Sequence, residues 1–146
     1  MNTIILVVEK IISLAMKYEN LTGRKLEITG EVGEILVCNC KERKLKELKL
    51  KLAANQQTPG YDAVDKNGKK YQIKTRRAIN WDRRYLGRVK FSMHKFDYAI
   101  FAILNNEYEL KELYKISYKK LTRILERYPR RNPHIATLVK NSERVL

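Results

Sequence analysis

Cysteine and histidine are scarce in this chain of 146 residues, which contains two of each. Cys38 and Cys40 are separated by one residue, and neither His94 nor His134 lies near them in the sequence. Two thiolates are too few for a structural zinc site, and no disulfide framework is indicated. We therefore interpret both cysteines as helix residues of a reduced, intracellular protein and expect a cytoplasmic location.

Apolar runs long enough to cross a membrane are also absent. The run at residues 4–8 is followed by Glu9 and Lys10, and no small-residue cleavage site comes after it. The sequence thus predicts neither a signal peptide nor a membrane span, and no membrane partner. Repeats, low-complexity tracts and linkers are missing too, so we predict a single domain over residues 1–146.

Acidic residues are few relative to basic ones. The chain has 31 Lys and Arg against 16 Asp and Glu, a formal net charge of +15. An excess of this size is typical of proteins that bind nucleic acid, and it predicts a polyanionic partner such as DNA. It carries no information about catalysis.

A polar motif lies on a predicted β-hairpin. Val64 and Tyr71 flank a segment whose Asn-Gly pair can supply the positive φ angles of a tight turn. Such a hairpin folds Asp62 back towards Gln72 and Lys74. Because strand side chains alternate between faces, Gln72 and Lys74 share one face while the residue between them points into the core. Three polar groups can therefore converge on one spot.

These groups suit the cleavage of a phosphodiester. Mg²⁺ prefers oxygen ligands and keeps several waters, so Asp62, Gln72 and the backbone carbonyl of Ile73 could form a partial cage. Mn²⁺ could substitute for it. Lys74 could orient a water molecule or stabilise charge that develops on the phosphate. The alternative is a hairpin whose polar side chains are simply solvated.

At these residues the chain resembles the PD-(D/E)XK nuclease superfamily. Asp62 matches the Asp of the second core strand, Lys74 matches the Lys of the third, and Gln72 stands where Glu or Asp is usual. The Gln-X-Lys form is similar to that of Mrr-type restriction endonucleases. The resemblance covers about residues 29–104. It implies an α/β, restriction-endonuclease-like core with a central mixed β-sheet flanked by helices, and a metal-dependent endonuclease that hydrolyses DNA.

The resemblance extends to a Gly-X-X-Gly-Glu pattern, matched here by residues 30–34. It implies that Glu34 is a catalytic residue and a metal ligand. From the residues alone, Thr29 is a fair N-cap, and Glu31 and Glu34 lie on one helical face near the positive end of the helix dipole. Either Glu could reach a metal, and the alternative role for both is to stabilise the helix start.

Basic residues cluster around this motif and in two other places. Lys69, Lys70, Arg76 and Arg77 lie in the cluster nearest the motif, and we predict that they bind nucleic acid together with Arg83 and Arg84. A run at residues 41–51 also contains Glu42 and Glu47, which is typical of a solvated helix face. A second tier comprises Arg83, Arg84, Arg88 and Lys90, with Arg127, Arg130 and Arg131 later in the chain.

Hydrophobic spacing predicts the other elements. An amphipathic helix covers about residues 3–22, and the core about 29–128. Within the core we predict a helix from Gly30 into the forties, strands at 48–52, 97–104 and 108–116, and a helix capped by Ser117 that ends near 128. The basic tail, 129–146, is weakly patterned and is a candidate contact in a homodimer.

Two other classes of function stay open. The neutral Gln72 is compatible with a DNA-binding module that has the same fold and no hydrolytic activity. A nuclease that acts on RNA or branched DNA is the other possibility, because basic charge binds any phosphate backbone.

Overall fold

The computed structural model describes residues 2–55, 60–78 and 86–146. Within these residues the chain forms five helices and six strands. The helices are α1 (Thr3–Thr22), α2 (Thr29–Cys38), α3 (Arg43–Lys46), α4 (Tyr118–Leu125) and α5 (Ile135–Lys140). The strands are β1 (Lys51–Leu52), β2 (Ala63–Val64), β3 (Lys70–Arg77), β4 (Tyr98–Leu104), β5 (Leu110–Ser117) and β6 (Glu143–Arg144).

The strands form one mixed sheet in chain order from β1 to β6. Only β3 and β4 run parallel, and the other neighbouring strands are antiparallel. The apolar sequence of β4 is buried on both faces, as is expected of a strand between two layers of helices. The predicted α/β class, with a mixed sheet flanked by helices, is confirmed.

Strand β3 presents different chemistry on its two faces. Tyr71 and Ile73 pack in the apolar cluster that includes Val37 of α2. The residues that alternate with them along β3 are paired with residues of β4 that belong to the cluster beneath α4 and α5: Gln72 with Ala99, Lys74 with Phe101 and Arg76 with Ile103. Gln72, Lys74 and Arg76 therefore share the second face. The predicted alternation along β3, with Ile73 in the core, is confirmed.

The predicted hairpin joins β2 to β3. Asp65 organises its turn, since Oδ1 accepts the N–H groups of Asn67 and Lys69 at 2.8 and 3.0 Å and Oδ2 accepts the Tyr71 hydroxyl at 3.0 Å. Burial alone would raise the pKa of Asp65, but these hydrogen bonds more than offset it and the pKa is lowered. Gly68 takes the positive φ, 79°, that the turn needs.

Helix α1 agrees with the prediction for residues 3–22. The Asn2 side chain accepts the Ile4 N–H at 3.1 Å, and the helix ends at Gly23 in the left-handed conformation. Val8 and Ala15 are buried against the body of the protein. In the part of the chain that the structure describes, no helix is long and apolar enough to cross a membrane.

The second helix is shorter than predicted. It ends at Cys38 because Asn39 leaves the helical conformation and its side chain donates to the Ile35 carbonyl at 2.8 Å. Residues 43–46 form the separate helix α3, and Cys40 lies outside both helices. The predicted N-cap is also wrong, since Thr29 is already helical and Ile28 occupies the cap position.

The predicted strand at residues 48–52 is reduced to two residues. Leu48 and Lys49 belong to a turn, in which Lys49 has a φ of 52° and the Leu48 carbonyl accepts the Lys66 N–H at 2.9 Å. The alternation of Leu and Lys therefore reflects a turn followed by a short strand. Helix α4 likewise ends at Leu125, earlier than predicted, although Ser117 caps it as expected.

The C-terminal residues are more ordered than their weak pattern indicates. They form α5, whose Ile135, Leu138 and Val139 are buried in the core, and β6, which pairs with β5. These apolar residues complete the layer beneath the sheet. The candidate homodimer contact of residues 129–146 stays a prediction.

Gly33 sets the distance between α2 and β3. A Cβ atom at this position would lie 1.9 Å from the Thr75 Oγ1 and 2.5 Å from the Thr75 Cβ. Contacts this short force the backbones apart, so only glycine lets the helix lie against the strand here. The following residue, Glu34, is brought beside β3 by this close approach.

We expect Gly33→Ala to destabilise the protein by about 1–3 kcal/mol, the usual cost of overpacking a buried contact. Gly30→Ala is the matched control, because a Cβ at Gly30 meets no atom of the described residues within 4 Å and alanine favours the helix. Urea unfolding of both variants measures the difference. Equal stability of the two variants would contradict the close approach.

Candidate metal and phosphate site

A cleft lies beside the start of β2. Strand β2 begins one residue after Asp62, and its neighbour β3 extends beyond that point. The Asp62 N–H donates to the Tyr71 carbonyl at 2.8 Å and so starts the pairing of the two strands. The next N–H along this edge of β3, that of Ile73, donates to Asp62 Oδ2 at 2.8 Å. A side-chain carboxylate thus takes the place that a strand carbonyl would otherwise hold.

The backbone of Ile73 presents a second oxygen to the same place. In an extended strand the N–H and C=O of one residue point to the same edge. The Ile73 carbonyl therefore faces the edge that Asp62 covers. Ile73, Asp62 and Glu34 line one cleft together with Lys74 and Arg76.

Gln72 is buried beside this cleft, with 7% of its surface exposed. Its Nε2 donates to the Gly60 carbonyl at 3.1 Å. Because a carbonyl only accepts, this contact fixes the orientation of the amide and directs Oε1 elsewhere. Oε1 is buried and has no hydrogen-bond partner within the described ranges. Burying an acceptor without a partner costs about 1–3 kcal/mol, and a bound water or cation would relieve this cost.

Both carboxylates of the cleft have raised pKa values. Burial raises the pKa of Glu34 to about 7, and the negative charges of Asp62 and Glu31 add to this effect while Lys74 opposes it. Burial also raises the pKa of Asp62, against the Ile73 hydrogen bond and the charge of Lys74. A cation between these carboxylates would relieve both effects.

Lys74 supplies the positive charge of the cleft. Its Nζ lies 5.5 Å from the centre of the Phe91 ring, a cation–π contact. Burial lowers the pKa of Lys74, whereas Asp62 and Glu34 raise it and Arg76 lowers it. The ammonium group thus lies over an aromatic ring and in the field of the two carboxylates.

The structure brings most of the predicted site residues together. Glu34, Asp62, Ile73 and Lys74 share the cleft, and Glu31 lines the neighbouring depression with Glu34 and Asp62. Gln72, which precedes Ile73 on β3, lines neither of them. Among the described residues, no three His, Cys, Asp or Glu side chains form a group that could hold a metal ion. A metal here would therefore depend on the amide and carbonyl oxygens as well as the carboxylates.

The residues predicted to bind nucleic acid have different environments. Lys69 and Lys70 are exposed at the start of β3, and Lys70 Nζ lies 5.0 Å from the centre of the Tyr61 ring. Arg76 is half-buried and donates to the carbonyls of Thr75 and Arg88 at 2.9 and 3.1 Å. Arg83 and Arg84 lie outside the described residues.

Arg77 has a structural environment. Its side chain is 6% exposed and ion-paired with Glu19 of α1 at 2.7 Å. It also donates to the Tyr108 hydroxyl and the Asn106 carbonyl, and stacks on the Tyr108 ring at 3.9 Å. The hydrogen bond from Arg77 is the main cause of the lowered pKa of Glu19. Arg77 thus ties α1 to the sheet. It also lines the cleft with Asp62 and Lys74, and its contact with phosphate stays a prediction.

Gly60 and Phe91 are site residues that the sequence did not indicate. Gly60 has a φ of 87°, and a Cβ there would lie 2.7 Å from the Cβ of His94, so glycine is needed for the loop to reach Gln72. The Pro-Gly pair before Tyr61 is a turn signal in the sequence, but it does not indicate this contact. Phe91 is separated from Lys74 by a segment whose pattern gives no sign of the cation–π pair.

No protein-family model matches the chain, and no curated protein sequence matches it significantly. The assignment of a function to the cleft therefore depends on its geometry, its charges and the motif that its residues form.

In the metal-free protein we expect the Glu34 carboxyl to titrate near pH 7. Asp62→Asn should lower this pKa by removing a negative neighbour, but not to the ordinary value of 4.5, because burial is the larger cause. Carbon-detected NMR of the Glu34 carboxyl measures both titrations, with Glu143→Gln on β6 as the control. An unchanged Glu34 titration in Asp62→Asn would contradict their proximity.

The same shift has a consequence for stability. Between about pH 4.5 and pH 7 the folded protein holds a proton on Glu34 that the unfolded chain has lost. The free energy of unfolding should therefore fall as the pH rises through this window, and Glu34→Gln should remove that part of the fall. Urea unfolding across the window tests this, and the same slope in both proteins would refute it.

Proposed function

We propose that this protein is a metal-dependent endonuclease with a restriction-endonuclease-like core, which hydrolyses phosphodiester bonds in DNA. The observation that carries the proposal is the cleft in which Asp62 and Glu34, two carboxylates with raised pKa values, lie with Lys74. The buried, unsatisfied Oε1 of Gln72, on the same strand as Lys74, supports it. The order of Asp62, Gln72 and Lys74 on the hairpin also supports it, since it resembles that of PD-(D/E)XK nucleases of the Mrr type.

The oxygens around the cleft fit a hard divalent cation. Asp62, Gln72, the Ile73 carbonyl and Glu34 would hold Mg²⁺ or Mn²⁺, with Glu31 as an alternative to Glu34. When bound, the ion would supply positive charge to the phosphate and acidity to a coordinated water. The chain contributes fixed positions for these oxygens, because Asp62 is held by the Ile73 N–H and Gln72 by the Gly60 carbonyl.

Lys74 is the proposed catalytic cation of the chain. The ammonium group would lie beside the attacked phosphate and stabilise the charge that develops on its oxygens. Such an interaction is stronger in a half-buried cleft than in water, and the contact with Phe91 already positions the side chain.

DNA is the proposed substrate because the chain carries a net charge of +15, with Lys69 and Lys70 exposed along the same strand as the site. A non-catalytic DNA-binding module is the second candidate. It is favoured by one observation, namely that Gln72 contributes no charge to the metal site. RNA and branched DNA are compared directly in the assay below.

We expect purified protein with Mg²⁺ or Mn²⁺ to cleave DNA, and Lys74→Met and Asp62→Asn to bind DNA but cleave it on the order of 10²–10³ times more slowly. Methionine keeps the packing on Phe91, and asparagine keeps an acceptor for the Ile73 N–H. Gel assays on duplex, branched and single-stranded DNA and on RNA measure the rates.

Lys66→Met, at the hairpin turn outside the cleft, is the control and should retain full activity. Tight binding of DNA without metal-dependent cleavage of any of these substrates would establish the binding-module function instead.

Gln72 provides a separate test of the metal site. Gln72→Glu should preserve or strengthen the binding of Mn²⁺, because a carboxylate of the same reach adds negative charge. Gln72→Leu should abolish binding, since it removes the oxygen. Titration calorimetry measures both affinities, and equal affinity of the wild type and Gln72→Leu would remove Gln72 from the site.

A further inference from the structure

Residues 88–91 lie next to Lys74 and Arg76 of β3 and run antiparallel to residues 131–134, with a β-bridge between Arg88 and His134. The Val89 N–H donates to the Pro133 carbonyl at 3.1 Å and the Phe91 N–H to the Arg131 carbonyl at 3.2 Å. Val89 and Phe91 are buried, so the intervening residues Arg88 and Lys90 point outward, and both are exposed.

The pairing gathers basic residues that are distant in the sequence. Lys90 and Arg131 line one depression together with Arg130, and Arg88 lies over the Tyr128 ring at 6.0 Å. We call this surface the basic ridge and define it by Arg88, Lys90, Arg127, Arg130 and Arg131. It unites the two parts of the second tier of basic residues.

The ridge is adjacent to the proposed site. Arg76, which lines the cleft, donates to the Arg88 carbonyl at 3.1 Å, and Phe91 lies beneath Lys74. From Arg88 to Lys90 is about 7 Å along an extended segment, and the paired segment is about 5 Å further. At 3.4 Å of rise per base pair, the ridge itself therefore extends over roughly two to four base-pair steps.

Charges on the ridge are not neutralised by the chain. Within residues 2–55, 60–78 and 86–146, no acidic side chain pairs with any of its five cations. Arg88 and Arg131 donate to backbone carbonyls, which leaves Lys90, Arg127 and Arg130 as its unengaged cations. In the run at residues 41–51, by contrast, Arg43 pairs with Glu47 and Lys44 with Glu143. Clustered like charges repel one another, so the ridge is suited to a polyanion.

We infer that the basic ridge binds the backbone of duplex DNA beside the cleft, within a few base pairs of the phosphate at Lys74. The inference rests on the proposed function for the position of that phosphate. Lys90 and Arg130 are the phosphate contacts, and Arg88 and Arg131, held by the backbone, shape the surface that presents them. The run at residues 41–51 is a solvated face with no such role.

Lys90→Ala/Arg130→Ala is the test variant and Lys41→Ala/Lys46→Ala the matched control, since both remove two exposed positive charges. Fluorescence anisotropy with a labelled 30-base-pair duplex in EDTA measures the affinity at several salt concentrations, and circular dichroism checks the fold. Each phosphate contact contributes about 0.9 to the slope of log affinity against log salt. The slope should be about 1.8 smaller in the test variant than in the wild type. If the two proteins have equal affinities at 1 M salt, this corresponds to roughly 30-fold lower affinity of the test variant at 0.15 M salt. The control should keep the wild-type slope.

An unchanged slope in the test variant, or an equal loss of slope in the control, would refute the binding of DNA by the basic ridge. Lack of duplex binding by the wild type would also overturn it. Lys90→Gln/Arg130→Gln, which keeps more of the side-chain packing, must give the same loss of slope if charge is the cause. Binding is measured without metal, so the two proposals can fail separately. If the test variant shows the expected loss of slope but the wild type cleaves nothing, DNA binding by the ridge is supported and only the nuclease activity is refuted. Full cleavage with an unchanged slope refutes only the ridge.

Discussion

The hydrogen bond from the Ile73 N–H to the Asp62 carboxylate is the interaction on which the candidate site depends. Strand β2 begins only at Ala63, so a side chain covers the part of β3 that a longer strand would cover. A longer β2 would also occupy the Ile73 carbonyl in the sheet ladder. Because the ladder stops here, a carboxylate and a carbonyl face one cleft, and the Gly60 carbonyl turns the Gln72 amide so that its oxygen is left without a partner.

Two buried contacts bring the helices to this edge. The absence of a side chain at Gly33 lets α2 approach Thr75, which places Glu34 beside Asp62. The ion pair between Arg77 and Glu19 fixes α1 to the end of β3. The resulting arrangement keeps carboxylates in surroundings that disfavour their charge and leaves an amide oxygen unsatisfied. Such features cost stability, and they are typical of sites that are completed by a ligand.

Local patterns in the sequence predict the parts of this structure that depend on local geometry. The alternation along β3 and the apolar sequence of β4 predict which side chains share a face, and the polar motif predicts which ones meet in the cleft. The ion pair of Arg77 could not be predicted, because its partner Glu19 is 58 residues away and no local pattern identifies it. The strand at residues 48–52 was overextended because Lys49 adopts a positive φ, which is unusual for lysine. The pairing that creates the basic ridge is likewise a long-range contact.

The central claim is that one divalent cation is shared by oxygens from α2, the start of β2 and β3. A crystal structure of the protein grown with Mn²⁺, with anomalous data collected at the manganese edge, tests it most directly. We predict a single strong anomalous peak between the carboxylates of Asp62 and Glu34, with Gln72 Oε1 and the Ile73 carbonyl among the ligands. A peak elsewhere, or a cleft in which Gln72 Oε1 bonds to the protein and no ion binds, would contradict the claim.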